Sequence, residues 1–144
     1  TRMSSRLKTC AAVAAATALV TVLPDTTMAR ETSWRTCTPN ERRITCVVDG
    51  DTLWYQGTKI RLIGIDTPEV EGRCAAERQI AAKATQYLTT LLNTGLLKIE
   101  YDGEDRYGRA LARLWVTGGE VGPAMLASGL AEPYPRRGPH SWCG

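Results

Sequence analysis

Phenylalanine is absent from this chain and histidine occurs once, at position 140. Without phenylalanine, Trp54, Trp115 and the aliphatic strand positions are expected to carry the core. One histidine weighs against chemistry built on several imidazole ligands. No two cysteines have the C-x-x-C spacing of a redox or zinc site. The apolar run from Cys10 to Leu23 is 14 residues long, short of the ~20 that a spanning helix needs. There is no internal repeat, and 144 residues exclude a two-domain enzyme of normal size, since one domain takes ~100–200. Hydrophobic residues at 43% and charged residues at 23% are ordinary for a folded domain.

What is present begins with a targeting pattern. Arg2, Arg6 and Lys8 precede the apolar run, Pro24 ends it, and Thr27-Met28-Ala29 has the small residues of a cleavage site. Residues 1–29 are therefore read as a secretory signal, and the mature chain as exported, secreted or periplasmic. Removing Arg2, Arg6, Lys8 and Asp25 leaves 15 basic and 14 acidic side chains on 115 residues. Cys10 leaves with the signal. Cys37, Cys46, Cys74 and Cys143 remain, an even count that favours two disulfides in an exported domain, with three pairings open.

Residues 30–42 are polar and read as an irregular lead-in. Strand signals follow at 43–48, 52–55 and 59–65, separated by turns at Asp49-Gly50-Asp51 and Gln56-Gly57. Ile80, Ala81, Ala84, Tyr87, Leu88, Leu91 and Leu92 form one helical stripe, which Gly95 terminates. Residues 96–101 and 111–117 read as two further strands, 121–130 as a short helix, and the proline-rich 133–144 as an extended tail tied down at Trp142-Cys143. Three strands, a long helix, two strands and a short helix is the order of a five-stranded OB-type barrel, a mainly β, α+β fold spanning 43–132.

Chemistry concentrates in two acidic turns. Asp49-Gly50-Asp51-Thr52 joins two strands, and Asp66-Thr67-Pro68-Glu69 ends the third. Carboxylates at the ends of neighbouring strands repel unless a cation lies between them, and an all-oxygen set suits calcium or magnesium. Arg61 and the Arg106-Tyr107-Gly108-Arg109 loop add guanidiniums, whose fork matches phosphate oxygens. Acids for a metal and arginines for a phosphate make an inventory for phosphodiester hydrolysis. One geometric condition applies. Arg61 and Asp66 have opposite parity, so they share a site only if the strand bends, and Gly64 is placed to allow it.

Val47-Val48-Asp49-Gly50-Asp51-Thr52, then Ile60 to Glu69, then Asp105-Arg106-Tyr107-Gly108-Arg109, resembles the staphylococcal nuclease (thermonuclease) family, in its exported, disulfide-containing bacterial subgroup. The resemblance implies a monomeric OB-fold nuclease that cleaves DNA and RNA with calcium and little sequence preference. It implies Asp51 and Asp66 as calcium-ligating carboxylates, with Thr67 contributing its backbone carbonyl and Asp49 supporting the metal site from behind. Arg61 and Arg109 would hold the scissile phosphate, Glu69 would orient or deprotonate the attacking water, and Arg106 and Tyr107 would flank the nucleotide. The segment from Glu69 to Glu77 is shorter than the mobile loop of the best-known members. The competing reading is the same barrel as a non-catalytic module binding nucleic acid or nucleotides, and calcium-dependent digestion separates the two.

Overall fold

The computed structural model describes residues 32–144. The signal segment, 1–29, lies outside the described residues. Strands β1 (Cys46–Val47), β2 (Thr52–Tyr55) and β3 (Thr58–Leu62) form an antiparallel meander, and β4 (Ile65–Asp66) follows directly. Helix α1 (Ala75–Asn93) leads into β5 (Leu96–Glu104), β6 (Ala110–Val116) and β7 (Gly119–Glu120). Helix α2 (Val121–Ala127) and β8 (Glu132–Pro133) close the chain. The sheet order is β1-β2-β3-β6-β5, with β3 and β6 parallel, β5 antiparallel to β6, and β7 added to β6. This mixed sheet with one long and one short helix is the α+β, OB-type arrangement expected from the element order.

The elements follow local chemistry. Helix α1 starts five residues before the apolar stripe, where the Cys74 sulfur accepts from the Glu77 backbone N–H at 3.3 Å as N-cap. Its buried face is Ala81, Ala84, Thr85, Leu88 and Leu92, the i, i+3, i+4, i+7 repeat of one side. Strand β5 runs to Glu104, three residues further than the polar composition suggested, because antiparallel pairing with β6 continues to Glu104↔Ala110. The first strand is shorter than its β-branched run: residues 43–45 lie outside β1. Helix α2 ends at Ala127, earlier than 130.

The core is built differently from the expectation. Leu53, Ile60, Leu88, Leu114, Val121 and Met125 are fully buried, but Trp54 and Trp115 are only half-buried. Strand alternation explains this: Leu53 takes the inward face, so Trp54 turns outward, and Trp115 is likewise displaced by Leu114 and Val116. The buried tryptophans are Trp34, in the lead-in, and Trp142, in the tail. Trp34 stacks on Tyr55 with centroids 5.7 Å apart, and its backbone is bracketed by the Asn93 side-chain amide.

Disulfides Cys37–Cys46 and Cys74–Cys143 hold both terminal segments. The lead-in pairs with β1 through Thr36↔Val47, and β8 pairs with β4, Asp66 opposite Glu132. The tail is thus anchored at both of its ends, as the position of Trp142-Cys143 suggested.

Candidate active site

The turn between β1 and β2 delivers Asp51, which is 6% exposed. Gly50 makes that placement possible. A Cβ there would lie 2.7 Å from Ala84 Cβ and 2.8 Å from Thr67 Cγ2, so only glycine lets the turn press against α1 and Thr67. Its contribution is close approach, since its backbone is not left-handed. The other acidic turn depends on Gly64, at φ 81°, which breaks the chain between β3 and β4 and reverses the parity that would have separated Arg61 from Asp66. The bend expected at this residue is therefore present.

Arg61 lies at the centre. Its Nη1 donates to the carbonyls of Leu62 (2.7 Å) and Ile65 (2.8 Å), while Nη2 reaches Asp66 Oδ1 at 2.8 Å and Asp51 Oδ2 at 3.3 Å. Asp51 Oδ2 also accepts from the Thr67 backbone N–H at 2.9 Å, and Asp51 Oδ1 accepts from Thr52 Oγ1 at 2.9 Å. Asp49 Oδ1 accepts from the Asp51 backbone N–H at 3.1 Å, which fixes the turn from behind. Glu69 is exposed at the rim of a cleft of about 350 Å³ that it shares with Asp66, His140 and Trp142.

The electrostatics are those of an acid cluster short of positive charge. Burial, then the charge of Asp51, pushes the Asp49 carboxyl up to about 7. Burial and Asp51 also raise Asp66, against the opposing pull of Arg61 and His140. Glu69 is raised by burial and by Asp51, Asp66 and Glu77. Each raised value records a carboxylate whose charge is poorly compensated. Thr67, 3% exposed, keeps a buried Oγ1 that has no hydrogen-bond partner among the described residues. An all-oxygen, net-negative, partly buried set of this kind suits a hard divalent cation at Asp51, Asp66 and Thr67.

Not every expected residue reaches this cluster. Arg109 precedes β6, and its Nε is held by Asp105 Oδ2 at 2.6 Å; among the described residues that is its ion-pair partner. Burial works against the Asp105 charge, but the Arg109 side chain and the backbone N–H groups of Arg109 and Tyr107 outweigh it and lower its carboxyl. The parallel register Ile60↔Ala110 and Arg61↔Leu111 puts this end of β6 beside β3, so Arg109 flanks the cluster without touching it. Arg106 donates to the Tyr107 hydroxyl at 2.6 Å, and both are exposed on the same loop, with the Arg109 guanidinium 5.5 Å from the Tyr107 ring centre.

Residues 59–141 match the family described as "Staphylococcal nuclease homologue". The chain belongs to that family. The matched segment contains Arg61, Asp66, Thr67, Glu69, Arg109 and His140, with Asp49 and Asp51 just before it. Endonuclease YncB of Bacillus subtilis (strain 168) is 36% identical over 91 residues, 58% of this chain and 43% of that protein. Thermonuclease of Staphylococcus intermedius is 37% identical over 92 residues, covering 59% of this chain and 54% of that enzyme. An uncharacterized endonuclease of Escherichia coli O157:H7 is 29% identical over 103 residues, 68% of this chain and 63% of that protein. The chain spans about half the length of the curated relatives it matches.

Sequence reasoning passed over two residues beside this cluster, Glu132 and His140, and offered Tyr134 only as a candidate for the aromatic residues that family members place after the second helix. Tyr134 lies under the Arg61 guanidinium at 5.7 Å. His140 Nε2 is 3.0 Å from Asp66 Oδ2, and Nδ1 is 2.6 Å from Glu132 Oε2. The usable signal was Cys143, since a disulfide there would restrain the preceding tail residues.

Proposed function

We propose that this chain is an exported nuclease that hydrolyses phosphodiester bonds of DNA and RNA with calcium and little sequence preference. The observation that carries the reading is the convergence of Asp51, Asp66, Thr67 and Arg61 at the adjoining ends of β2, β3 and β4. Family membership supports it, as do the two disulfides and the basic, apolar start of the sequence for export.

Asp51 and Asp66, with Thr67, would hold the calcium, which would offset carboxylate repulsion and polarise the phosphoryl oxygen. Arg61 is anchored by two carbonyls through Nη1, and its Nη2, paired with Asp66 and Asp51 in the free protein, turns to phosphate oxygens once those carboxylates are engaged by the cation. Arg109 approaches the same phosphate from the start of β6 once substrate competes with Asp105. Glu69 takes the proton of the attacking water at its carboxylate, and its raised affinity for protons brings it closer to the working pH of a base. Tyr107 offers an exposed ring beside the nucleotide, and sequence preference stays low because these contacts address the backbone.

The test is digestion of single-stranded DNA and of RNA side by side with calcium at mildly alkaline pH, then with a chelator. Cleavage that stops on chelation is expected. Intact substrate with calcium overturns the enzyme reading, and binding without cleavage establishes the module instead.

A further inference from the structure

The ring of His140 is held at both nitrogens and on one face. Glu132 Oε2 meets Nδ1 at 2.6 Å, and Glu132 is itself held by Arg136 and by Ser141 Oγ at 2.6 Å. One face of the ring stacks on Trp142 at 4.0 Å between centroids and 8° between planes. Trp142 is 7% exposed, and its neighbour Cys143 is bonded to Cys74 at the head of α1. Such restraint is unusual for a tail residue, whose side chain ordinarily keeps its rotamer freedom. It delivers one atom, Nε2, to Asp66 Oδ2 at 3.0 Å. A carboxylate oxygen accepts at each nitrogen, so both ring nitrogens donate, Nδ1 to Glu132 and Nε2 to Asp66.

Asp66 is consequently held from two directions. Oδ1 takes Arg61 Nη2 from within β3, and Oδ2 takes His140 from the tail. Asp66 lies in the two-residue strand β4, immediately after the left-handed Gly64, so the local backbone provides little rigidity of its own. A carboxylate that ligates a cation binds best when its rotamer is set beforehand by outer partners. We propose that His140 is a positioning residue for Asp66, and that the Glu132–His140–Trp142 strap, stapled through Cys143, is a working part of the cation site. The inference rests on the calcium-dependent reading above.

The test compares the wild-type chain with His140→Ala and His140→Gln, measuring calcium dissociation constants by calorimetry, cleavage against calcium concentration, and thermal unfolding. His140→Ala is expected to weaken calcium binding by about 10- to 100-fold, the usual range when an outer partner of a metal ligand is lost. Cleavage should recover as calcium is raised, because Arg61 and Glu69 are untouched. His140→Gln keeps a donor at the reach of Nε2 and should restore most of the affinity, which a merely structural ring would not predict. If His140→Ala does not fold, Glu132→Ala withdraws the Nδ1 anchor while leaving the ring, and a weaker calcium affinity is expected there too. Wild-type affinity in the alanine variants, or glutamine no better than alanine, overturns the proposal. A wild-type chain that binds calcium but cuts nothing overturns the nuclease reading alone, and the dissociation constants still decide on His140. A wild-type chain that binds no calcium overturns both.

Discussion

Replacing Arg61 by glutamine separates two things the guanidinium does. In the absence of calcium it neutralises Asp66 and Asp51 from 2.8 and 3.3 Å, with side chains 11%, 22% and 8% exposed. Removing one partner of a buried pair costs about 3–5 kcal/mol. Asp66 is open to water on one side and glutamine can still donate to one carbonyl, so the expected loss is the lower figure, about 3 kcal/mol. With a urea slope of about 1.5 kcal/mol per M, the midpoint falls by roughly 2 M. Arg61 both competes with the cation for Asp51 and Asp66 and holds Asp66 Oδ1 in place, so the two effects oppose one another and calcium affinity should change less than in His140→Ala. Calcium at 100 times its dissociation constant should therefore still add about 2.7 kcal/mol of stability. Cleavage should fall by at least ~10²-fold and stay low in saturating calcium if, as proposed, the lost donors serve the phosphate. The assays are urea unfolding with and without calcium, and nuclease rates at saturating calcium. Recovery of cleavage by calcium would place Arg61 in the metal site alone, and loss of calcium binding would refute the charge argument.

Arg109→Gln should lower cleavage by a similar ~10²-fold while destabilising less than Arg61→Gln, because its pair with Asp105 is more exposed and lies within one loop; equal destabilisation of both arginine variants in urea would contradict this. Gly50→Ala forces a methyl to within 2.8 Å of Ala84 and Thr67 and should cost about 1–3 kcal/mol in thermal unfolding; an unchanged melting temperature would show that the turn has room. Cys74–Cys143 closes a separation of 69 residues and Cys37–Cys46 one of 9, so loop entropy predicts losses of about 4 and 3 kcal/mol for paired serine variants; the reverse order in urea unfolding would count against it. The Glu41 carboxyl is drawn down to about 2 by its bond from Arg35 and by the Thr38 backbone N–H. Its contribution is present above about pH 4.5 and lost as pH falls toward 2, and a carboxyl titration of Glu41 near 4.5 by NMR would refute the link.

Features that depend on a few adjacent residues were legible without coordinates. The stripe from Ile80 to Leu92 specifies α1 because helix period is local. The acidic turns announce themselves because Asp-Gly and Asp-Thr-Pro cannot continue a strand. Even the bend that unites Arg61 with Asp66 was readable, since Gly64 is the residue there that adopts a left-handed backbone without cost. Strand ends were less legible, because β5 is prolonged by its partner rather than by its own composition.

The sequence by itself therefore determined the element order, the OB-type class, and the Asp51, Arg61, Asp66, Thr67 group that the fold draws together as the candidate site. Only the tertiary structure decided which tryptophans fill the core, which cysteines pair, and that His140 meets Asp66. Each of those depends on contacts between residues far apart in the chain. Trp34 is buried by Tyr55 and Asn93, and Cys143 by its bond to Cys74. A lone histidine in a proline-rich tail carries no periodicity and no spacing. Its place beside Asp66 follows from the disulfide, the Glu132 bond and the Trp142 stack acting together; Cys143 marks the tail as tied down, but its partner and the other two contacts are set only when the chain folds.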